Sequence, residues 1–276
     1  QEAQTIDQNM IGRIDFYQIK FPNMLFLSWK GLCAVSVSVF ILAACSPSAA
    51  PETPDPNPSP LRANAPALEP DRYNVAFLIM DGVYNTELTA PYDIFQHTIF
   101  RDSINAMNTF MVANTLEPVT TFEGIQLLPH FNYLADSLPA IDILVVPSAA
   151  HHLDTDLEDE AMISFVRQTA QSAQFVTSHC DGAFVLAQAG LLKDRVSTTF
   201  PSDIDAMRER FPDHDIRKDV LFVHDGKYIT SAGGAKSFEA ALYLAEHLYG
   251  AAVARRLAKG LVIDWDLSEV PHLVVD

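Results

Sequence analysis

The 276-residue chain is 49% hydrophobic and carries a formal net charge of −17. That acidity argues against a nucleic-acid partner, because phosphate binding needs a basic stripe. Within residues 71–276 there are 14 basic and 29 acidic side chains, a net of −15, so the acidity belongs to the part with globular patterning and not to a tail.

Residues 24–45 read MLFLSWKGLCAVSVSVFILAAC, in which Lys30 is the only charge. A basic residue, a short apolar run and small residues at its end have the form of a secretory signal, and the run is short for a membrane span. Leu42-Ala43-Ala44-Cys45 resembles the bacterial lipobox, in which the cysteine is lipidated and becomes the new N-terminus; Cys45 is therefore the expected lipidation site. Ser46 follows instead of Asp, which by the same resemblance favours the periplasmic face of the outer membrane. Residues 1–45 are read as an N-terminal extension and lipoprotein signal. Residues 46–70 are Pro-rich with Ala, Ser and Asn, and read as a disordered, extended tether. Residues 71–276 form the expected globular domain, long enough for a proper core. Its only cysteine is Cys180, because Cys33 lies within the signal; no internal disulfide can form there.

Along that domain, NVAFLIM (74–80), TFMVANT (109–115), IDILVVP (141–147) and AQFVTS (173–178) are apolar runs suited to strands buried on both faces. Helical spacing appears over 86–100, 157–172, 182–190, 201–211, 237–250 and 251–261, with Pro91 expected near a bend or in the first turn. Residues 219–233 read as a hairpin turning at Asp225-Gly226. Strands alternating with helices predict an α/β three-layer sandwich with a mainly parallel central sheet. Ligands in such folds sit at the carboxyl ends of the strands. Asp81-Gly82, Pro147-Ser148-Ala149 and Cys180 all fall at such ends.

Ser178-His179-Cys180-Asp181-Gly182 has the form small-x-nucleophile-x-small. A sharp strand-to-helix turn needs small neighbours to present its central side chain. Helix-opening N–H groups there would lower a thiol pKa and hold an oxyanion. The plainer reading is a small buried cysteine at a helix start. His151 and His152 with Asp154 and Asp156 could be assembled into a metal set, but read as an exposed polar loop, and no metal is expected.

CDGAFVLAQAGLL, STTFPSDIDAMRERFP and TSAGGAKSFEAALYLAEHLYG, with DGVYNTELTAPYDIF and DILVVP ahead of them, together resemble the ThiJ/PfpI superfamily, of flavodoxin-like, class I glutamine amidotransferase-like fold. The resemblance covers about 75–270. It implies Cys180 as nucleophile, with Glu87 of the first loop protonated beside it and the thiol pKa depressed. Where amidotransferases and protease-like members carry an activating His, this chain has Phe200, and His179 should point to the other side of the elbow. That departure and the tail LVIDWDLSEVPHL lean toward the isocyanide-hydratase-like branch, implying Cys180, Glu87 and Asp181 as catalytic residues. Backbone groups of Gly82, Ser148, Ala149 and Gly182 are the expected oxyanion site.

The implied function is cofactor-independent cysteine chemistry, of hydratase or hydrolase type, on a small electrophile at the bacterial cell envelope. The membrane is engaged through the N-terminal lipid. The alternatives are a redox or electrophile sensor with stress-protective function, and a non-catalytic ligand-binding lipoprotein. Superfamily members often dimerise, so a homodimer is compatible with the resemblance, with no interface fixed by the sequence.

Overall fold

The computed structural model describes residues 65–275; the signal, Cys45 and most of the tether lie outside the described residues. Its centre is an eight-stranded sheet. In chain order the elements are β1 (Tyr73–Leu78), α1 (Asn85–Gln96), β2 (Met107–Ala113), β3 (Val119–Thr120), β4 (Gln126–Leu127), β5 (Phe131–Asn132), β6 (Ile143–Val146), α2 (Glu160–Ser172), β7 (Phe175–His179) and α3 (Gly182–Gln188). There follow β8 (Val196–Ser197), α4 (Ile204–Arg210), β9 (Asp215–Ile216), β10 (Phe222–Asp225), β11 (Tyr228–Ser231), α5 (Ser237–Tyr249), α6 (Ala251–Gly260) and β12 (His272–Val275).

The sheet order is β12-β10-β11-β7-β6-β1-β2-β5, and every pairing is parallel except β10 with β11. Val75, Ala76, Phe77 and Leu78 are fully buried because helices cover both faces, which explains the unbroken apolar runs. One core cluster joins Val75, Phe77, Ile143 and Val145 to residues of α1, α5 and α6. The other joins Ala76, Leu78, Leu144 and Val146 to residues of α2 and α3. Alternation along β1 and β6 therefore sends successive side chains into opposite layers.

The chain leaves β1 for β2 on one side and returns to β6 on the other. Such a reversal opens a crevice beyond the carboxyl ends of the two strands. A bridge between Val83 and Ala149 joins the two loops at that crevice, and β7, adjacent to β6, ends beside it at Cys180.

Several details depart from the sequence reading. Pro91 stands inside α1, buried in its second turn, where its missing N–H leaves the Glu87 carbonyl without its helical donor. Residues at the end of the expected tether are docked: Leu68 packs on the second core cluster, and Glu69 exchanges backbone hydrogen bonds of 3.2 and 2.9 Å with the Asn108 side chain. The short strands β3, β4, β5, β8 and β9 and the C-terminal β12 have too few residues to carry a periodic signal. β12 pairs with β10 in parallel register, Phe222 opposite His272.

Candidate active site

Cys180 sits between β7 and α3 with φ of +54°, a left-handed conformation that costs a non-glycine residue energy and throws its side chain out of the strand line. Three features hold it there. Its N–H donates to the Ser231 carbonyl at 2.9 Å, tying the turn to β11. Its carbonyl accepts from Thr199 Oγ1 at 3.0 Å. Two glycines make room for it. A Cβ on Gly182 would stand 2.1 Å from the Val146 carbonyl oxygen, and one on Gly233 would stand 2.3 Å from the Cys180 Cβ. Gly233 also has φ of +77°, so both its volume and its backbone require glycine.

Glu87, in the first turn of α1, is 5% exposed. Its Oε2 accepts from Ser148 N–H at 3.2 Å and its Oε1 from Gly234 N–H at 3.0 Å. The two donors belong to the segments after β6 and β11, so one carboxyl ties both to the start of α1. The Glu87 carboxyl and the Cys180 thiol act on each other's proton affinity. Burial raises the Glu87 pKa, outweighing the hydrogen bonds that would lower it.

Asp181 stands on the other side of Cys180. The thiol donates to its Oδ2 at 3.6 Å, and Thr199 Oγ1 lies 3.0 Å from its Oδ1. Thr199 has one hydroxyl proton and two oxygen neighbours, the Cys180 carbonyl and Asp181 Oδ1. A protonated Asp181 resolves that conflict by donating to Thr199, leaving the Thr199 proton for the carbonyl. Burial first, then the charge of Asp203, push Asp181 up to about 7.

The thiol itself moves opposite to the sequence expectation of a depressed pKa. Burial, then the negative charges of Glu87 and Asp181, push the Cys180 thiol up, and only the Asp181 backbone N–H works against them. Among the described residues, no basic side chain ranks with these groups in acting on the thiol. His179 is buried with Nδ1 at 3.0 Å from Ser231 Oγ, directed away from the thiol, and burial lowers it to about 3. The site is thus a cluster of proton holders, Cys180, Glu87 and Asp181, that together resist accumulating negative charge.

The expected oxyanion donors are differently used. Ser148 N–H serves Glu87, Ala149 N–H donates to His152 Nδ1 at 3.1 Å, and Gly82 N–H donates to the Thr120 carbonyl at 2.8 Å. The contribution of Gly182 is close approach to β6, and the backbone N–H that meets the sulfur is that of Asp181. His152, expected in an exposed loop, is fully buried: its Nε2 lies 3.2 Å from Met80 Sδ, and burial lowers it to about 3. It anchors the loop after β6. No group of three or more metal-ligating side chains occurs among the described residues. The roles of Thr199, Gly233 and Gly234 were not assigned from sequence, although the paired glycines after a strand signal a close backbone approach.

A buried thiol on a strained strand-to-helix elbow, flanked by two carboxyls at the crevice of a parallel sheet, defines a flavodoxin-like α/β protein built around one cysteine. Residues 73–247 match the DJ-1/PfpI family, and the chain belongs to that family. It is 32% identical over 183 residues to the isonitrile hydratase of Pseudomonas putida, covering 66% of this chain and 74% of that protein. It is 25% identical over 150 residues to protein dj-1beta of Drosophila melanogaster, covering 54% of this chain and 79% of that one. A solved ThiJ/PfpI family protein from Pseudomonas syringae shares the fold with a TM-score of 0.62 at 24% identity, over 77% of this chain and 83% of that one.

Proposed function

We propose that the protein is a cysteine-dependent hydratase of small electrophiles, with isocyanides as the first substrate class. The observation that carries this is the placement of the Cys180 thiol 3.6 Å from Asp181 Oδ2 and near Glu87, both carboxyls pushed above their ordinary range chiefly by burial. The similarity to an isonitrile hydratase supports the substrate class.

The chemistry follows from that proton inventory. An isocyanide, R–NC, has an electrophilic terminal carbon. Sulfur bonds to that carbon while the thiol proton, relayed through Glu87, is delivered to the same carbon, giving a thioimidate, R–N=CH–S–Cys. Water adds to the thioimidate carbon, its protons passing to nitrogen and to the departing sulfur. The C–S bond breaks and the formamide R–NH–CHO leaves. The sum is R–NC plus water, with the thiol restored. A raised thiol pKa suits this sequence, because the first step consumes a proton as well as a nucleophile. The chemistry calls for no metal or organic cofactor.

The lipobox-like Leu42-Ala43-Ala44-Cys45 and the Pro-rich tether support a lipid-anchored location at the cell envelope. Turnover of a panel of alkyl and aryl isocyanides, aldehydes and primary amides tests the activity. Formamide should form from isocyanides with the native protein and not with Cys180→Ser. Equal turnover by Cys180→Ser would refute the proposal.

A further inference from the structure

The C-terminus of α6 closes in a Schellman turn. Val262 N–H donates to the Lys259 carbonyl at 3.2 Å, and Ile263 N–H to the Ala258 carbonyl at 2.9 Å. That pattern puts Val262 in the left-handed region, with φ of +59°. The position usually holds glycine, because a β-branched side chain is strained there. The hydrogen bonds explain the conformation but not the valine, which is 95% exposed and buries almost nothing in the fold.

The surroundings of Val262 are positively charged. α6 turns Val253, Ala254, Leu257 and Ala258 into the core and presents Arg255, Arg256 and Lys259 to solvent. Arg101 joins them from beyond α1. Its Nη2 donates to the Arg256 carbonyl at 3.0 Å and would stand 3.1 Å from a Cβ on Gly260. Its neighbour in the chain, Phe100, is 66% exposed. Four of the 14 cations of residues 71–276 therefore share one face of a domain with a net charge of −15. None of the four forms an ion pair among the described residues, although Asp102, Asp264 and Asp266 are near in sequence.

The N-terminal segment meets the domain beside this face. Pro66, Ala67 and Leu68 share a small cavity with Ile99, the residue before Phe100. Cys45 is 20 positions ahead of Ala65, a reach of about 25 Å for a flexible chain and about 60 Å for a fully extended Pro-rich one. A lipid on Cys45 would hold the face at a high local concentration of headgroups.

We propose that the face carrying Phe100, Arg255, Arg256, Lys259 and Val262 docks on a phospholipid bilayer with anionic headgroups, its cations against the phosphates and its two apolar side chains in the interface. Basic residues beside exposed apolar ones fit that surface. Charges more than about 8 Å away are screened at physiological salt, so the net acidity of the domain does not cancel a local basic face. The patch is small, and it orients an anchored domain without substituting for the anchor. The inference rests on the lipid-anchor reading for nearness to the membrane, and separate measurements test the two.

The full chain, produced in a bacterium that processes lipoproteins, is added to vesicles of phosphatidylcholine alone or with one third phosphatidylglycerol. Flotation with the neutral vesicles tests the anchor. Acetylation of Lys259 by a membrane-impermeant active ester, followed by mass spectrometry, tests the face, with the exposed Lys218 as internal control. Lys259 should label at least about fivefold more slowly on anionic than on neutral vesicles, the scale of one basic residue at an anionic surface, while Lys218 changes less than twofold. The double variant Arg255→Gln, Arg256→Gln should label equally on both. Val262→Gly relieves the backbone and removes the apolar side chain, so it should label at least twofold faster than native on anionic vesicles with Tm unchanged or raised. Equal labelling of native Lys259 on both vesicles would overturn the proposal, as would slowing that survives the double variant. Slowing without vesicles at high protein concentration would mark contact between copies and overturn it too. A chain that fails to float with neutral vesicles would refute the anchor, and the anionic comparison would still decide the face.

Discussion

Replacing Gly233 with Ala tests whether the elbow is held from outside. The new Cβ would lie 2.3 Å from Cys180 Cβ, 2.6 Å from its nitrogen and 2.7 Å from its Cα. These are fixed atoms of the elbow, so no side chain can swing away. Gly233 has φ of 77° and ψ of −158°, a region essentially confined to glycine that costs alanine about 1–3 kcal/mol, and overpacking a rigid contact adds about 1–3 kcal/mol. A loss near 3 kcal/mol would lower Tm by about 6–12 °C for a domain of this size. Gly190 provides the control, with φ of +76° and nothing within 4 Å of an added Cβ. Gly190→Ala should show the backbone cost alone and leave Cys180 alkylation at the native rate. Gly233→Ala should be about 2 kcal/mol less stable than Gly190→Ala in urea unfolding and should alkylate at an altered rate. Equal stability of the two variants would refute the steric account of the elbow.

Other outcomes follow from the same geometry. Glu87→Ala leaves the Ser148 and Gly234 N–H groups without their acceptor and should cost about 2–4 kcal/mol in denaturant unfolding, more than Glu87→Gln, which retains a carbonyl acceptor. Both changes remove a negative charge that raises the thiol, so the midpoint of alkylation rate against pH should move down in each. Asp181 holds its proton more tightly folded than unfolded, from 3.8 to about 7, so its contribution to stability is complete below about pH 4 and is lost as pH rises toward 7. The stability of Asp181→Asn relative to native should therefore increase from pH 4 to 7, by on the order of a few kcal/mol; a flat difference would contradict a raised Asp181. Cys45→Ser should move the protein from the membrane to the soluble fraction, and unchanged fractionation would refute lipid anchoring there.

The buried strands and long helices were legible because their patterns are long. Residues 74–80 and 141–147 are unbroken apolar runs, and α2 carries its acids at the start and its apolar residues at helical spacing. The elbow cysteine was legible because the small-x-Cys-x-small pattern follows from the sterics of a sharp strand-to-helix turn. What neighbours it was less so. The partners of Glu87 are backbone groups 61 and 147 residues away, and any residue type can supply a backbone N–H. The direction of the thiol shift depends on burial and on two carboxyls facing one sulfur, a matter of three-dimensional distance. The expectation for His152 failed for the same reason: a histidine in a polar stretch gives no sign that the loop folds it inward. The end of the tether was misjudged because proline content describes local stiffness, whereas Leu68 and Glu69 dock through partners such as Asn108.

The central claim is that Cys180 forms and releases a covalent adduct. Intact-protein and peptide mass spectrometry, quenched at intervals after adding an isocyanide, reads this directly. The account predicts a mass gain equal to the isocyanide on the peptide containing Cys180, appearing before formamide and decaying as formamide accumulates. Formamide formed with Cys180 never modified, and at the same rate in Cys180→Ser, would contradict it.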